Sequence, residues 1–369
     1  MNNEILTINK MYYPEIGGVE TVAKAVAEIA LNVGESKVLT FNKGKNFSEE
    51  TINGVKVIRL PTIFKWRSIR ISPYYKSVFA KEAQIAKTII FHFPSGQPEL
   101  HPQIYKKISS KKICFYHGDV DYKIVGKIYD VFVRRFLDTM DKIIVTSPNI
   151  VESSNILKDY KEKIVVIPLF VDTSHFYPRN PSKREYLLPL FSEPPEKIVL
   201  YIGRLAKYKG LEYLIEAMSM LGKQYGLVII GRGQREKELK QLARKLGTEK
   251  RVVFLDHVQY DELPEYYSAA DVFVLPSISR AEAFGLVGLE AMACGTPVIT
   301  TELGTGTSYY NLHGVTGLIV SPRNSSSLAQ AIKYITNNSQ QCDKMIIRKR
   351  AEEFSLKIFE DKVMTLVIK

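Results

Sequence analysis

Two cations and two carboxylates in the second half of the chain have the types and spacing to hold a phosphorylated sugar. Gly203-Arg204 is followed by Lys209-Gly210, which puts a guanidinium just past an apolar run and an ammonium just before a helical one. Arginine offers a two-pronged fork to a phosphate and lysine a point charge. Cations fixed there would stabilise the negative charge that grows as a diphosphate departs. Glu282-Ala283-Phe284-Gly285-Leu286-Val287-Gly288-Leu289-Glu290 sets two carboxylates eight residues apart. A carboxylate accepts paired hydrogen bonds from sugar hydroxyls, so Glu290 suits a ribose diol and Glu282 a donor sugar. The plainer reading is solvated surface charge. The small and apolar residues around the glutamates argue against it, because a wholly solvated helix is more polar.

Four further segments carry weaker signals. Gly17-Gly18 sits in a strand-to-helix loop, where glycine admits a close ligand and a helix N-terminus attracts anions. An ordinary tight turn explains it equally well. Gly231-Arg232-Gly233-Gln234-Arg235-Glu236 resembles the start of a dinucleotide fingerprint, but Glu236 stands where a third glycine would close the turn. It reads as a turn beside a nucleotide site, and a dehydrogenase is disfavoured. His117, in Tyr116-His117-Gly118-Asp119, ends a strand, as does His92; a lone histidine is more often structural. Ile63 to Lys76 interleaves aromatics, including Trp66, with Lys65, Arg67 and Arg70. That pattern suits an anionic lipid surface, or equally a solvated helix face backed by core aromatics.

These residues need a scaffold, and the apolar runs supply one. Strands are expected at Ile5–Ile8, Lys37–Phe41, Val55–Leu60, Ile89–Phe93, Lys112–Tyr116, Lys142–Thr146 and Ile164–Ile167. A helix is expected over Thr21–Leu31. Between Phe176 and Glu196 five prolines fall in one short window, which reads as a linker. The pattern then restarts with strands at Ile198–Ile202, Leu227–Ile230, Val252–Leu255, Asp271–Leu275 and Pro297–Thr300. Helices are expected over Gly210–Leu221, Glu236–Leu246, Glu262–Ala269 and Leu286–Ala293. Alternating strands and helices imply two α/β units with parallel sheets, whose ligands bind at the carboxyl ends of the strands.

Bulk properties agree. A chain of 369 residues is long enough for two domains, each with its own core. With 45% hydrophobic and 24% charged residues it is a folded protein. The net charge of +12 favours anionic partners. No arginine-rich tail or zinc-finger spacing supports nucleic acid. Cys114, Cys294 and Cys342 are scattered and odd in number, which fits a reducing compartment and no metal cluster. Met1 to Lys10 lacks the pattern of a signal peptide, and no apolar run reaches the ~18 residues of a membrane span. A cytoplasmic location is expected, with any membrane contact peripheral.

At this point the chain resembles the retaining glycosyltransferases of the GT-B fold, within the large family-four group of mannosyl-, rhamnosyl- and glucosyltransferases. Tyr12-Tyr13-Pro14 with Gly17-Gly18-Val19-Glu20 looks like the family's N-terminal glycine loop. Thr146-Ser147-Pro148-Asn149 and Val166-Ile167-Pro168 match segments ending its first domain. Ile202-Gly203-Arg204-Leu205 with Lys209-Gly210 matches its diphosphate motif, and Glu282 to Glu290 its glutamate pair. Gly295-Thr296-Pro297-Val298-Ile299 and Gly314-Val315-Thr316-Gly317-Leu318 complete the donor domain. The order of these motifs covers nearly the whole chain.

The resemblance implies an α/β, GT-B architecture: two Rossmann-like doubly wound parallel-sheet domains facing across a cleft. Residues 1–180 would bind the acceptor and residues 190–353 the nucleotide sugar, with a terminal helix at about 354–369 packing back on the first domain. His117, Glu282, Arg204 and Lys209 would serve catalysis. Gly17, Gly18, Gly203, Gly231, Val258, Phe284, Gly285, Leu286 and Glu290 would join Arg204 and Lys209 around the donor. Neither a cofactor nor a metal is expected, because the two cations take the metal's place. The co-substrate is a GDP- or UDP-sugar, and the acceptor a glycan or a lipid-linked sugar. Thr301-Glu302-Leu303-Gly304-Thr305-Gly306-Thr307-Ser308-Tyr309 resembles the variant found in mannose and rhamnose transfer, so GDP-mannose is the first expectation. UDP-glucose or a UDP-N-acetylhexosamine comes next, and an epimerase of the same architecture is the other enzyme class. The chain departs from the family at Leu169-Phe170, usually asparagine and glycine, and at Arg232, commonly acidic.

Overall fold

The computed structural model describes residues 4–15, 17–66, 69–120, 126–179, 187–338 and 342–368. The chain divides into two compact units, Met1–Pro168 with Phe359–Lys369, and Leu169–Ile358.

The first unit contains β1 (Glu4–Ile8), β2 (Glu35–Phe41), β3 (Ser48–Ile52), β4 (Val55–Leu60), β5 (Phe64–Trp66), β6 (Ile69–Ile71), β7 (Thr88–Phe93), β8 (Lys111–Tyr116), β9 (Lys142–Val145) and β10 (Ile164–Val166). Eight of them form one sheet in the order β10-β9-β8-β7-β1-β2-β4-β3. All its neighbours are parallel except β3, which runs antiparallel to β4. Strands such as β7 are buried from end to end, as a parallel sheet covered on both faces requires. On one face Phe79, Phe91, Tyr105 and Phe136 pack edge-on and tilted, with ring centroids 4.9–5.3 Å apart. On the other, the terminal helix Leu356–Ile368 brings Phe359 to within 6.3 Å of Phe115. The Lys111 ammonium donates to the Leu366 carbonyl at 2.6 Å.

The aromatic and basic stretch near Trp66 is not a helix face but a small antiparallel hairpin, β5 with β6. Arg70 is buried there; it donates to the Phe41 carbonyl at 3.0 Å and pairs with Glu15 at 3.5 Å. It is therefore unavailable to a lipid headgroup. Ile63, Phe64 and Tyr74 are more than half exposed, and Lys65 is exposed. Arg67 and the side chain of Trp66 lie outside the described residues.

The second unit contains β11 (Lys197–Ile202), β12 (Tyr225–Ile230), β13 (Val252–Leu255), β14 (Val272–Leu275), β15 (Val298–Thr301) and β16 (Gly317–Val320). They form one parallel sheet in the order β13-β12-β11-β14-β15-β16. Chain order reverses between β11 and β14. In open α/β sheets such a reversal is where ligands bind, at the carboxyl ends of the strands.

The proline-rich window is not a free linker. Phe176 is buried edge-on to Tyr267, the Arg179 amide donates to Ser268 Oγ at 2.9 Å, and Phe191 and Pro195 pack against Gly226. These buried apolar groups tie the window to the second unit, so the division falls earlier, at Leu169. Pro181 lies outside the described residues.

Candidate active site

Glycines set the floor of the site in the second unit. Gly203 (φ +150°) follows β11 and Gly231 (φ +139°) follows β12. A Cβ on Gly231 would lie 2.1 Å from the Gly203 carbonyl, so only glycine at 231 lets these strand ends approach so closely. Tyr201 Oη donates to the Arg204 carbonyl at 3.0 Å and the Leu205 amide to that of Arg232 at 2.9 Å, which fixes the backbone under Arg204. The Arg204 side chain is exposed and makes no ion pair among the described residues. Arg232 pairs with Asp256 at 3.6 Å, with both side chains mostly in solvent; such a pair contributes little.

Lys209 ends a short 3-10 turn, Lys207–Lys209, before the helix Leu211–Ser219. Gly210, at φ +64°, packs so tightly that a Cβ would lie 2.2 Å from the Pro276 carbonyl. The Ile278 amide donates to the Tyr208 carbonyl at 2.8 Å. These contacts join the loop after β11 to the loop after β14, and Lys209 consequently meets Glu282. Lys209 Nζ lies 2.5 Å from Glu282 Oε2, with both side chains buried. Ser277 Oγ donates to the same carboxylate oxygen at 2.7 Å. Both of these contacts fall on Oε2, and none among the described residues falls on Oε1.

The glutamate loop is held from behind. Thr305 Oγ1 donates to the Glu282 carbonyl and the Gly306 amide to that of Ala283, each at 2.8 Å. Phe284 is buried against Gly306, where a Cβ would meet its ring at 2.1 Å. Gly285 (φ +79°) then starts the helix Leu286–Ala293 without a side-chain cap, so its first amides remain as donors for an anion. Glu290 lies one turn further in, and Tyr267 Oη donates to its Oε2 at 2.7 Å. Burial pushes the Glu290 carboxyl up to about 7, against the opposing pull of the Tyr267 hydrogen bond.

Gly203, Lys209 and Glu282 therefore converge, since a Cβ on Gly203 would lie 3.8 Å from Lys209 Nζ. Leu286 is half-buried at the start of the glutamate helix. Val258 is buried past β13, which β12 separates from β11 in the sheet. Sequence reasoning did not find Ser277, Tyr267 or Thr305, whose partners are 5, 23 and 23 residues away. The serine's place just past a strand end was the one signal available.

Gly17, Gly18 and His117 belong to the first unit. A Cβ on Gly17 would lie 2.2 Å from Glu20 Oε2, so that carboxylate already lies against the start of the helix Gly18–Ala30. The Asp119 carboxylate is engaged by Tyr116 at 2.6 Å and Ser154 at 2.8 Å. The His117 ring is joined to His92 at 2.9 Å. Burial, and then the charge of Lys10, lower the His117 pKa to about 3, so its ring is neutral.

Known proteins resemble this chain in sequence and fold. The chain is 31% identical over 349 residues to the D-rhamnosyltransferase WbpZ of Pseudomonas aeruginosa, covering 92% of this chain and 88% of that protein. This chain belongs to the group 1 glycosyltransferases. The family profile "Glycosyl transferases group 1" matches residues 184–352 of the enzyme. The transferase is also 30% identical over 343 residues to the O-antigen chain mannosyltransferase C of Escherichia coli, covering 91% of this chain and 89% of that one. Sucrose-phosphate synthase from Thermosynechococcus elongatus superposes with a TM-score of 0.81 at 23% identity, over 99% of this chain and 98% of its own. HepE of Anabaena, solved with UDP, gives 0.77 at 19% identity over 99% of each chain. These likenesses establish the GT-B fold of the glycosyltransferase. Among its described residues no three histidine, cysteine, aspartate or glutamate side chains converge as metal ligands.

Proposed function

We propose that this glycosyltransferase moves a hexose from a nucleotide sugar, GDP-mannose in the first instance, to a glycan or lipid-linked acceptor with retention of configuration. The observation that carries this reading is the buried Lys209–Glu282 pair beside the unpaired Arg204, at the point where the strand order reverses. Arg204 and Lys209 neutralise the diphosphate. Glu282 accepts from a hydroxyl of the sugar through Oε1, and Glu290 accepts from the ribose diol. The sugar C1–O bond to phosphate breaks and a C1–O bond to the acceptor forms on the same face. The acceptor's proton passes to the departing phosphate oxygen. The positive side chains supply the charge stabilisation a metal would otherwise give, so activity is expected to survive a chelator. We read His117 as a neutral hydrogen-bonding group of the transfer.

The relatives named for D-rhamnosyl and O-antigen mannosyl transfer support a GDP-sugar. A UDP-sugar is the second reading, supported by the UDP and UDP-glucose complexes of HepE. A thermal-shift panel of GDP-mannose, UDP-glucose and UDP-N-acetylglucosamine, followed by NMR of the product's anomeric proton, tests both. A donor at 100 times its Kd stabilises the fold by about 2.7 kcal/mol, so one donor should raise Tm by several degrees. No shift with any of the three, or an inverted product, contradicts the proposal.

Donor affinity should depend on pH near neutrality. The unliganded Glu290 carboxyl titrates at about 7, and a ribose diol binds its ionised form. Binding then lowers that pKa and releases a proton, so affinity falls as pH drops through 7. The fall approaches roughly tenfold per unit at low pH. Calorimetry between pH 6 and 8 measures it, and equal affinity throughout sinks the Glu290 assignment. Tyr267→Phe removes a hydrogen bond to the ionised carboxylate and moves the midpoint upward.

No helix among the described residues is long and apolar enough to cross a membrane. A lipid-linked acceptor would instead be met at a membrane face, in the cytoplasm on our reading. The exposed Ile63, Phe64 and Tyr74 beside Lys65 offer such a surface to anionic headgroups.

A further inference from the structure

β7 and β8 run parallel, with His92 opposite Phe115 and the His117 amide donating to the Phe93 carbonyl at 3.0 Å. Side chains alternate between the faces of a strand, so His92, Phe115 and His117 share one face. His92 Nδ1 lies 2.9 Å from His117 Nε2, and the two rings are inclined by only 13°. His92 is fully buried and stacked on Phe115 at 5.2 Å, whereas His117 keeps 5% of its surface exposed. His92 Nε2 has no hydrogen-bond partner among the described residues. Burial lowers the pKa of both rings, so each is neutral and carries one N–H.

Two proton arrangements satisfy the bond. If His117 donated from Nε2, His92 would hold a buried N–H on Nε2 with no acceptor. If His92 donates from Nδ1, its Nε2 keeps only a bare lone pair. For backbone groups, an orphaned buried N–H is the rarer defect, and the same preference selects the second arrangement. His117 Nε2 is then filled, and its proton must sit on Nδ1, on the side of the ring away from His92.

We propose that His92 is a positioning residue that holds His117 in the Nδ1–H tautomer, so that His117 presents a neutral donor to a hydroxyl of the reacting sugar. The proposal rests on the reading of His117 as a residue of the transfer. A neutral donor suits this reaction. Positive charge grows on the sugar ring as the bond to phosphate breaks, and an imidazolium beside it would raise the barrier. Among the described residues no other group is hydrogen-bonded to the facing nitrogens of the pair, so the choice of tautomer falls to His92.

Ring-nitrogen NMR of the unmutated protein, labelled with 15N-histidine, reads the tautomer without a variant. His117 should appear protonated on Nδ1; protonation on Nε2 overturns the proposal. His92→Phe keeps a ring stacked on Phe115 and removes the donor. It should lower kcat about tenfold, the equivalent of one net hydrogen bond, with donor KM nearly unchanged and His117 resonances of mixed tautomer. His92→Asn restores an amide N–H at the place of Nδ1 and should recover most of kcat. Wild-type kcat in His92→Phe alongside an impaired His117→Ala overturns the role of His92 alone. Normal kcat in His117→Ala overturns the role given to His117 itself.

Discussion

Lys209→Ala should lower kcat/KM for the nucleotide sugar by about 10²–10³ and also destabilise the fold. The first effect follows from losing a fixed charge at the departing diphosphate, which typically contributes about 3–4 kcal/mol to such a step. The second follows from what is left behind. Glu282 is buried and bonded to Lys209 at 2.5 Å. Removing the lysine leaves the carboxylate with only the Ser277 hydroxyl, and breaking a buried pair from one side costs roughly 3–5 kcal/mol. The two effects separate in the double variant. Lys209→Ala with Glu282→Gln removes the stranded charge, so thermal stability should largely return while activity stays low. Steady-state kinetics and melting curves on the three proteins check this. Recovery of activity together with stability would mean that Lys209 is structural only.

Arg204→Ala should lower donor affinity about 10–100-fold, as expected for a charge-assisted, two-pronged contact, and leave stability within about 0.5 kcal/mol. The contrast with Lys209 comes from burial. Arg204 projects into solvent and makes no ion pair among the described residues, while its backbone is fixed by Tyr201 and Leu205. The side chain therefore contributes little to the fold, and on our proposal it meets the donor diphosphate. Arg204→Lys keeps the charge and loses the fork, so its affinity should fall between the two. Calorimetric titration with the preferred donor reads all three. Because the contact is ionic, wild-type affinity should also weaken with salt more steeply than that of Arg204→Ala. Equal donor affinity in wild type and Arg204→Ala removes the arginine from the site.

The parallel strands were legible in the sequence because they are buried on both faces and read as unbroken apolar runs. The glutamate helix was legible over Leu286–Ala293, the same bounds the structure shows. β3 was hidden because an exposed edge strand such as Ser48–Ile52 carries polar residues on both sides. β16 was hidden because it opens on Gly317, whose Cβ would lie 1.8 Å from the Val298 carbonyl; glycine there serves close strand packing and reads as a turn. The prolines of residues 176–196 signalled a linker, but buried Phe176 and Phe191 decided where that segment packs.

For the site, the charged residues were visible and their supports were not. Lys209 and Glu282 are 73 residues apart, and only the reversal of strand order between β11 and β14 joins their loops. Tyr267 looks like any core aromatic of a short helix until its hydroxyl is seen on Glu290. His92 and His117 each end a strand, but their pairing depends on β7 and β8 being neighbours. Arg70 failed as a surface cation because a hairpin turned it inward against Phe41 and Glu15.

The most direct test is a crystal structure of the enzyme with the nucleoside diphosphate of its preferred donor. The diphosphate should lie within hydrogen-bonding distance of both Arg204 and Lys209, with the ribose hydroxyls on Glu290. A nucleotide bound elsewhere, with Arg204 still in solvent, Lys209 still on Glu282 and Glu290 still on Tyr267 alone, would contradict the account.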